Sequence, residues 1–176
     1  MHWFLPHQSS KRRIDPSILS WLSDQGSLTR RLKQRCPQRF AVDVLGMQWT
    51  RPDRGEARLL GIPQSQIVLL REVQLKCADK LCVYARSVIP LKTLSGRHRR
   101  LRRLGNKPLG EYLFASPTLQ RSRIEWAHLA PDNKLFHNTL PQSGTMNGTI
   151  WGRRSLFRID HRPLLVSEFF LPVLFE

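Results

Sequence analysis

Two charged side chains stand where strand patterning would put only hydrocarbon. Side chains alternate across a β-strand, so residues of one parity share a face. Along 67–75 the odd positions are Ile67, Leu69, Arg71, Val73 and Leu75, an apolar face holding one arginine. Near the C-terminus Leu164, Val166, Glu168 and Phe170 share a face, and Glu168 is its one charge. A lone buried charge is strongly unfavourable, so each of the two needs a partner. In one arrangement they pair with each other as a buried salt bridge. In the other they line a cavity that a ligand completes. An arginine offers a planar fork to a carboxylate. A carboxyl in an apolar site accepts a hydrogen bond from a ligand hydroxyl, or stays protonated and donates one. A third charge, Arg86, shares parity with Tyr84 and Val88. The opposite face, Val83, Ala85, Ser87 and Ile89, is equally apolar, so alternation does not fix its side.

The elements that must position these residues are legible from period and punctuation. Asp15-Pro16 is a helix start, and Ile18, Leu19, Trp21 and Leu22 supply an apolar face. Ser27 caps a second helix in which Leu28, Leu32 and Cys36 share a stripe, and Pro37 stops it. The period then changes to strands at 40–49, 67–76 and 82–91, with a tight turn at Ala78-Asp79-Lys80. A helix is expected over 94–104, with Leu94, His98, Leu101 and Leu104 on one side and Gly105 as the stop. A short helix follows over 108–114. Residues 119–128 alternate again, and 151–159 and 163–171 form a last hairpin around Asp160-His161-Arg162. About six hairpin-linked strands with helices at one end imply an α+β fold on an antiparallel sheet. Residues 129–150, rich in Pro, Asn, Gly and Ser, read as a long surface loop, and 1–14 as a flexible or peripheral segment.

The chain has 176 residues, which fits a single domain over 1–176. Its 40% hydrophobic content and five Trp argue against disorder. Its apolar runs are too short to span a bilayer and too short for a signal-peptide core. Three cysteines, Cys36, Cys77 and Cys82, fit a reduced compartment. Cys77 and Cys82 flank a turn and read as two semi-buried thiols, and no spacing suggests a metal. The expectation is a cytoplasmic monomer. The net charge of +16 attracts nucleic acid, anionic membranes or small anions without choosing among them. The run Gly96-Arg97-His98-Arg99-Arg100-Leu101-Arg102-Arg103 is its densest part. No signature of nucleic-acid reading accompanies it. A specific nucleic-acid partner is therefore not expected, and weak contact with an anionic membrane surface is.

In order along the chain, several blocks resemble the chorismate lyase (chorismate pyruvate-lyase) family. They are Trp21-Leu22 with 26–31, Leu70-Arg71-Glu72, residues 85–96, residues 104–114 (Leu104-Gly105-Asn106-Lys107-Pro108-Leu109-Gly110-Glu111-Tyr112-Leu113-Phe114), Trp151-Gly152-Arg153-Arg154-Ser155 and residues 163–172. The resemblance implies an α+β fold with a six-stranded antiparallel sheet and helical flaps over an internal ligand site. It implies a carbon–oxygen lyase without cofactor or metal. The enzyme would convert chorismate to 4-hydroxybenzoate and pyruvate, open ubiquinone synthesis and be inhibited by its product. Carried over by motif, Arg71 holds the ring carboxylate, and Glu168 meets the ring hydroxyl. Leu28 and Leu109 sit on the flaps and bind through backbone groups. Leu28 stands where the family is associated with Met. Arg86 is the candidate for the second carboxylate of chorismate. Two rival readings remain: a non-catalytic effector-binding module of the same fold, and a basic nucleic-acid-binding protein.

Overall fold

A computed structural model describes residues 2–9, 14–129 and 150–175. Its strands are β1 (Phe40–Thr50), β2 (Val68–Cys77), β3 (Lys80–Pro90), β4 (Gln120–Arg121), β5 (Glu125–Leu129), β6 (Ile150–Ile159) and β7 (Arg162–Phe170). They form one antiparallel sheet in the order β1-β2-β3-β7-β6-β4, with β5 also pairing β6. This is the expected α+β architecture with one strand more. The stretch at 119–128 divides into β4 and β5. There the Ser122 hydroxyl accepts from Leu156 N at 3.0 Å in place of a strand-to-strand bond. Phe4 adds an isolated bridge to Trp126, with main-chain bonds of 2.9 and 2.8 Å. The loop expected at 129–150 lies outside the described residues except for its ends, Leu129 in β5 and Ile150 in β6.

Turn chemistry closes the two long hairpins. Ala78 and Asp79 join β2 to β3, and Asp160 and His161 join β6 to β7, all four with positive φ. Such two-residue left-handed turns match the twist of the strands they join. A bulge between Val44 and Gly46 shifts the register of β1. Val42 and Val44 therefore share a face with Met47 despite the change of parity.

Both faces of the sheet's centre are covered. On one lie α1 (Pro16–Ser23), α2 (Leu28–Arg35), a 3-10 helix (Gly96–Arg103) and α4 (Leu109–Phe114). Asp15 and Ser27 cap α1 and α2 through their side chains. Trp21, Leu22, Leu28 and Leu32 pack on Val42, Val73, Val83 and Phe170 in one cluster. Leu94, Leu101, Leu104 and Leu113 pack on Leu69, Ile89, Phe157 and Val166 in a second. The expected helix over 94–104 is a 3-10 segment, yet it buries the same four residues. Its arginines are partly engaged within the molecule. Arg97 pairs with Asp160, while Arg100 and Arg102 stack over Tyr112 and Trp49.

On the other face lies α3 (Arg54–Leu60), an addition to the expected elements. Asp53 and Glu56 close it with a reciprocal capping box. Leu60 packs there on Leu70, Val88 and Leu165. Gly152 faces this side because there is no room for more. A Cβ there would lie 2.6 Å from the Phe169 ring.

The cysteine expectation needs correction. Cys36, at the end of α2, is joined to Cys77, at the end of β2, by a disulfide. Only Cys82 is a free thiol. Register explains the difference. Cys77 lies opposite Lys80, and the shift after Leu75 leaves Cys82 without a partner residue on β2. The bond closes a loop spanning 41 positions and ties α2 to the sheet. It also removes the free-thiol argument for a reducing compartment.

Asp160 ties the covering segments together at the β6–β7 turn. It accepts from Arg97 Nε at 2.6 Å and from the Thr118 hydroxyl at 2.7 Å, and it lies 2.8 Å from His98 Nε2. His98 Nδ1 in turn lies 2.7 Å from the Tyr112 hydroxyl on α4. Hydrogen bonds from Arg97, Thr118 and His98 hold the Asp160 carboxyl well below the usual aspartate range. A carboxyl depressed in the folded state contributes stability above its unfolded pKa. That contribution is lost as pH falls toward the folded value. We expect Asp160→Asn to lower the melting temperature at neutral pH. Its deficit against the parent protein should shrink below about pH 4. Thermal melts over a pH series would show a constant deficit if Asp160 contributed nothing through its charge.

Candidate active site

The register places the unusual charges on one face. Arg71, Ser87, Val166 and Ser155 form a row across β2, β3, β7 and β6. One step along, Val73, Ala85, Glu168 and Arg153 form the next row. The two rows follow the border of the two hydrophobic clusters, with Val73 and Ala85 in one and Val166 in the other, and the cavity opens over them. Its lining includes Arg71, Glu168 and Arg121, with Leu28 and Thr29 from α2 and Leu109, Gly110 and Leu113 from α4. The free space, open mouth included, is about 560 Å³.

Arg71 is 2% exposed. Its Nη2 donates to the carbonyls of Gly105 and Lys107 at 2.9 and 3.1 Å. These lie in the link leading to α4. Its Nε is buried and has no hydrogen-bond partner among the described residues. An unmet buried donor is unfavourable by about 1–3 kcal/mol, more on a charged group. Burial pulls the guanidinium down to about 10, so it stays a cation at neutral pH.

Glu168 does not pair with Arg71. Its Oε2 accepts from Arg153 Nε at 2.6 Å. Arg153 is almost fully buried, and its Nη1 donates to the carbonyls of Trp21 and Asp24 at 2.7 Å each. The carboxylate is thus fixed by a cation that is itself fixed to the end of α1. Arg71 is left without a carboxylate among the described residues.

Leu28 and Leu109 are the first residues of α2 and α4. A backbone N–H at that position has no acceptor within its own helix. The two helices close on each other at Gly110. A Cβ there would lie 2.9 Å from the Thr29 hydroxyl oxygen. Four of the five residues singled out in the sequence, Arg71, Glu168, Leu28 and Leu109, therefore meet at one cavity.

Arg86 does not. It lies behind the sheet, with Nε 2.9 Å from Glu56 Oε1 and Nη1 3.3 Å from Glu72 Oε1. Glu72 also accepts from the Tyr84 hydroxyl. A residue spent on α3 and its neighbours cannot reach a ligand in the cavity. Alternation could not settle this, because β3 is buried on both faces and both faces read as apolar. Two arginines were missed instead: Arg121, which lines the cavity, and Arg153, which holds Glu168. Parity along β6 would have set Arg153 beside Trp151, Ser155 and Phe157. Arg121 sits in a two-residue strand, too short to show a period.

The profile of the chorismate lyase family matches residues 2–176. A probable chorismate pyruvate-lyase of Methylococcus capsulatus is 48% identical over 153 residues, covering 87% of this chain and 93% of that one. Another, of Methylobacillus flagellatus, is 41% identical, covering 86% and 85%.

The chain belongs to the chorismate lyase family.

The family is one of carbon–oxygen lyases, and membership marks this chain as an enzyme. Solved structures show how widely the fold is used. The effector domain of PhnF from Mycobacterium smegmatis superposes with a TM-score of 0.63 at 13% identity, covering 85% of this chain and 91% of that one. The ligand-binding domain of a putative GntR-family regulator from Bordetella bronchiseptica gives 0.56 at 16%, covering 76% and 83%. At such identities only the fold is shared.

The closeness of Gly110 to Thr29 sets an expectation for the covering helices. Gly110→Ala should force α4 from α2 by a few tenths of an ångström and loosen both. Hydrogen–deuterium exchange should accelerate in Leu28–Arg35 and Leu109–Phe114 while the strands stay protected. Unchanged exchange in both helices would show that they do not depend on this contact.

Proposed function

We propose that the protein is a chorismate pyruvate-lyase that releases pyruvate from chorismate and leaves 4-hydroxybenzoate. The observation that carries this reading is the pair of fixed charges in one cavity. Arg71, with an unmet buried donor, stands at one side, and the tethered carboxylate of Glu168 stands at the other. On adjacent strands roughly 4.8 Å apart, their backbones are two spacings across and one two-residue step along. A single six-membered ring with a carboxylate and a hydroxyl at opposite ends suits that separation.

Chorismate is such a ring, with an enolpyruvyl ether on the carbon next to the hydroxyl. In the elimination, the ring–oxygen bond to the enolpyruvyl group breaks, and its electrons leave with that oxygen. The ring carbon bearing the hydroxyl loses its hydrogen as a proton, and the ring becomes aromatic. The departing enolate takes up a proton to become pyruvate. Aromatisation supplies the driving force, so the protein's part is positioning, water exclusion and charge balance. Arg71 orients the ring through its carboxylate, with the Leu28 and Leu109 N–H groups as further donors. Glu168, held by Arg153, takes the hydroxyl's hydrogen bond and is the base nearest the departing ring proton. The α2 and α4 helices shut out water. The product would serve ubiquinone synthesis, where this reaction is the first committed step.

Incubating the purified protein with chorismate should release 4-hydroxybenzoate and pyruvate in equal amounts. Arg71→Ala should abolish turnover, because it removes the cation that orients the ring. Near-normal activity in that variant would place the site elsewhere. Glu168→Gln separates two roles: a modest loss fits hydrogen bonding, and near-total loss fits proton transfer.

The product keeps both handles, the ring carboxylate and the hydroxyl. A site built on them releases it slowly, and opening of the helices then limits turnover. Progress curves should bend in added 4-hydroxybenzoate; straight ones would refute this. The shared fold of the regulator effector domains gives one alternative, a sensor. Tight 4-hydroxybenzoate binding with no conversion of chorismate would favour it.

A further inference from the structure

Arg121 is the cavity cation that the proposed reaction has so far left without a task. Its Nε donates to the Ser155 hydroxyl at 3.0 Å, and its Nη1 donates to the Gln25 carbonyl at 2.9 Å. Longer contacts reach the carbonyls of Asp24 and Gly26 at 3.3 and 3.4 Å. Its guanidinium carbon lies 5.1 Å from the centre of the Phe157 ring. All these partners are neutral. Glu168, the nearby carboxylate on the cavity wall, is already matched to Arg153. Desolvation, with the charge of Arg153 adding to it, pulls the Arg121 guanidinium down to about 10 against the opposing charges of Glu168 and Asp24, so it remains a cation at neutral pH. The nearby carboxylates of Glu168 and Asp24 pair with Arg153 and Arg31, so a buried cation whose own hydrogen bonds all go to neutral groups is an incomplete arrangement.

Its place in the sheet says what would complete it. Ser155 ends the row that begins at Arg71 and crosses Ser87 and Val166. Arg71 and Ser155 are three strand spacings apart, roughly 14 Å between backbones. The cavity therefore has a guanidinium at each end of one row, with Glu168 between them one step along. That is a receptor for a dianion whose two carboxylates lie apart with a hydroxyl between. Chorismate has two carboxylates, and 4-hydroxybenzoate has one. Arg86, behind the sheet, cannot serve the second.

We infer that Arg121 binds the carboxylate of the enolpyruvyl arm, and so is the residue by which the site tells substrate from product. This rests on the function proposed above. It gives the cavity two anchors that act on both ligands, Arg71 and Glu168, and one that acts on the substrate alone. Because Arg121 also holds the carbonyls at 24–26, a carboxylate drawn to it lands beside the link between α1 and α2. The charge that receives the arm is thereby attached to the segment that covers it.

The test compares a dianion with a monoanion. Chorismate KM and the Kd of 4-hydroxybenzoate would be measured for the parent protein, Arg121→Gln and Arg121→Lys. A non-reacting dianion, 3-(carboxymethoxy)-4-hydroxybenzoate, would be titrated beside them. Arg121→Gln should raise the chorismate KM and the dianion Kd about tenfold or more, the loss of one charge-assisted hydrogen bond. It should leave the Kd of 4-hydroxybenzoate within about twofold, since the product makes no contact there. Arg121→Lys, which keeps the charge without the fork, should fall between. If Arg121→Gln does not fold, the lysine variant carries the same comparison. Equal weakening of the dianion and 4-hydroxybenzoate would overturn the inference and leave Arg121 as a brace for the α1–α2 link. So would an unchanged chorismate KM. Should the parent protein neither convert chorismate nor bind 4-hydroxybenzoate, the proposed function fails instead, which the parent measurements alone reveal.

Discussion

A guanidinium buried among hydrocarbon side chains must be given oxygen atoms, and much of this fold follows from that. Arg71 receives two from the carbonyls of Gly105 and Lys107. Those atoms are in place because Gly105 adopts a left-handed turn just before α4. Arg153 receives two from the end of α1 and one from Glu168. Arg121 receives its share from the α1–α2 link and Ser155. The segments over the cavity are thus attached to the sheet by the cations under them. The requirement that fixes the charges also fixes the cover.

The hydrophobic packing is arranged around this polar seam. One cluster gathers under α1 and α2, and the other under the 3-10 helix and α4. They meet along the rows that carry Arg71 and Glu168, the first cluster contributing Val73 and Ala85 and the second Val166. Each covering unit has its own apolar footing: Leu22 and Leu32 on one side, Leu101 and Leu113 on the other, all nearly fully buried. The units touch at a small-residue contact, Gly110 on Thr29. Two independently footed covers that meet at one seam can part without unmaking the core, as the proposed reaction would require for entry and release of its ligand. The Cys36–Cys77 bond anchors the far end of α2 and leaves Leu28, at its cavity end, outside the tether.

The regulator effector domains share this fold without sharing sequence. In the proposed function, the chemistry rests on the few charged positions on the inner face, Arg71 and Glu168 first among them.

By itself the sequence determined the long strands, the capped helices and the two charges out of place, Arg71 and Glu168. Those signals are local. A strand with one polar-tolerant face shows its period, and a single arginine in that period stands out. Only the tertiary structure decided what the charges face. It showed that Glu168 is held by Arg153, that Arg71 and Glu168 are not a salt bridge, and that Cys36 rather than Cys82 meets Cys77. Each of these depends on register between segments far apart in the chain, which alternation does not encode. The side taken by Arg86 was undecidable for a further reason. Once α3 covers the second face, both sides of β3 are buried, and a pattern with no contrast has no direction. Arg121 was invisible because its position is set by the neighbours of a strand two residues long.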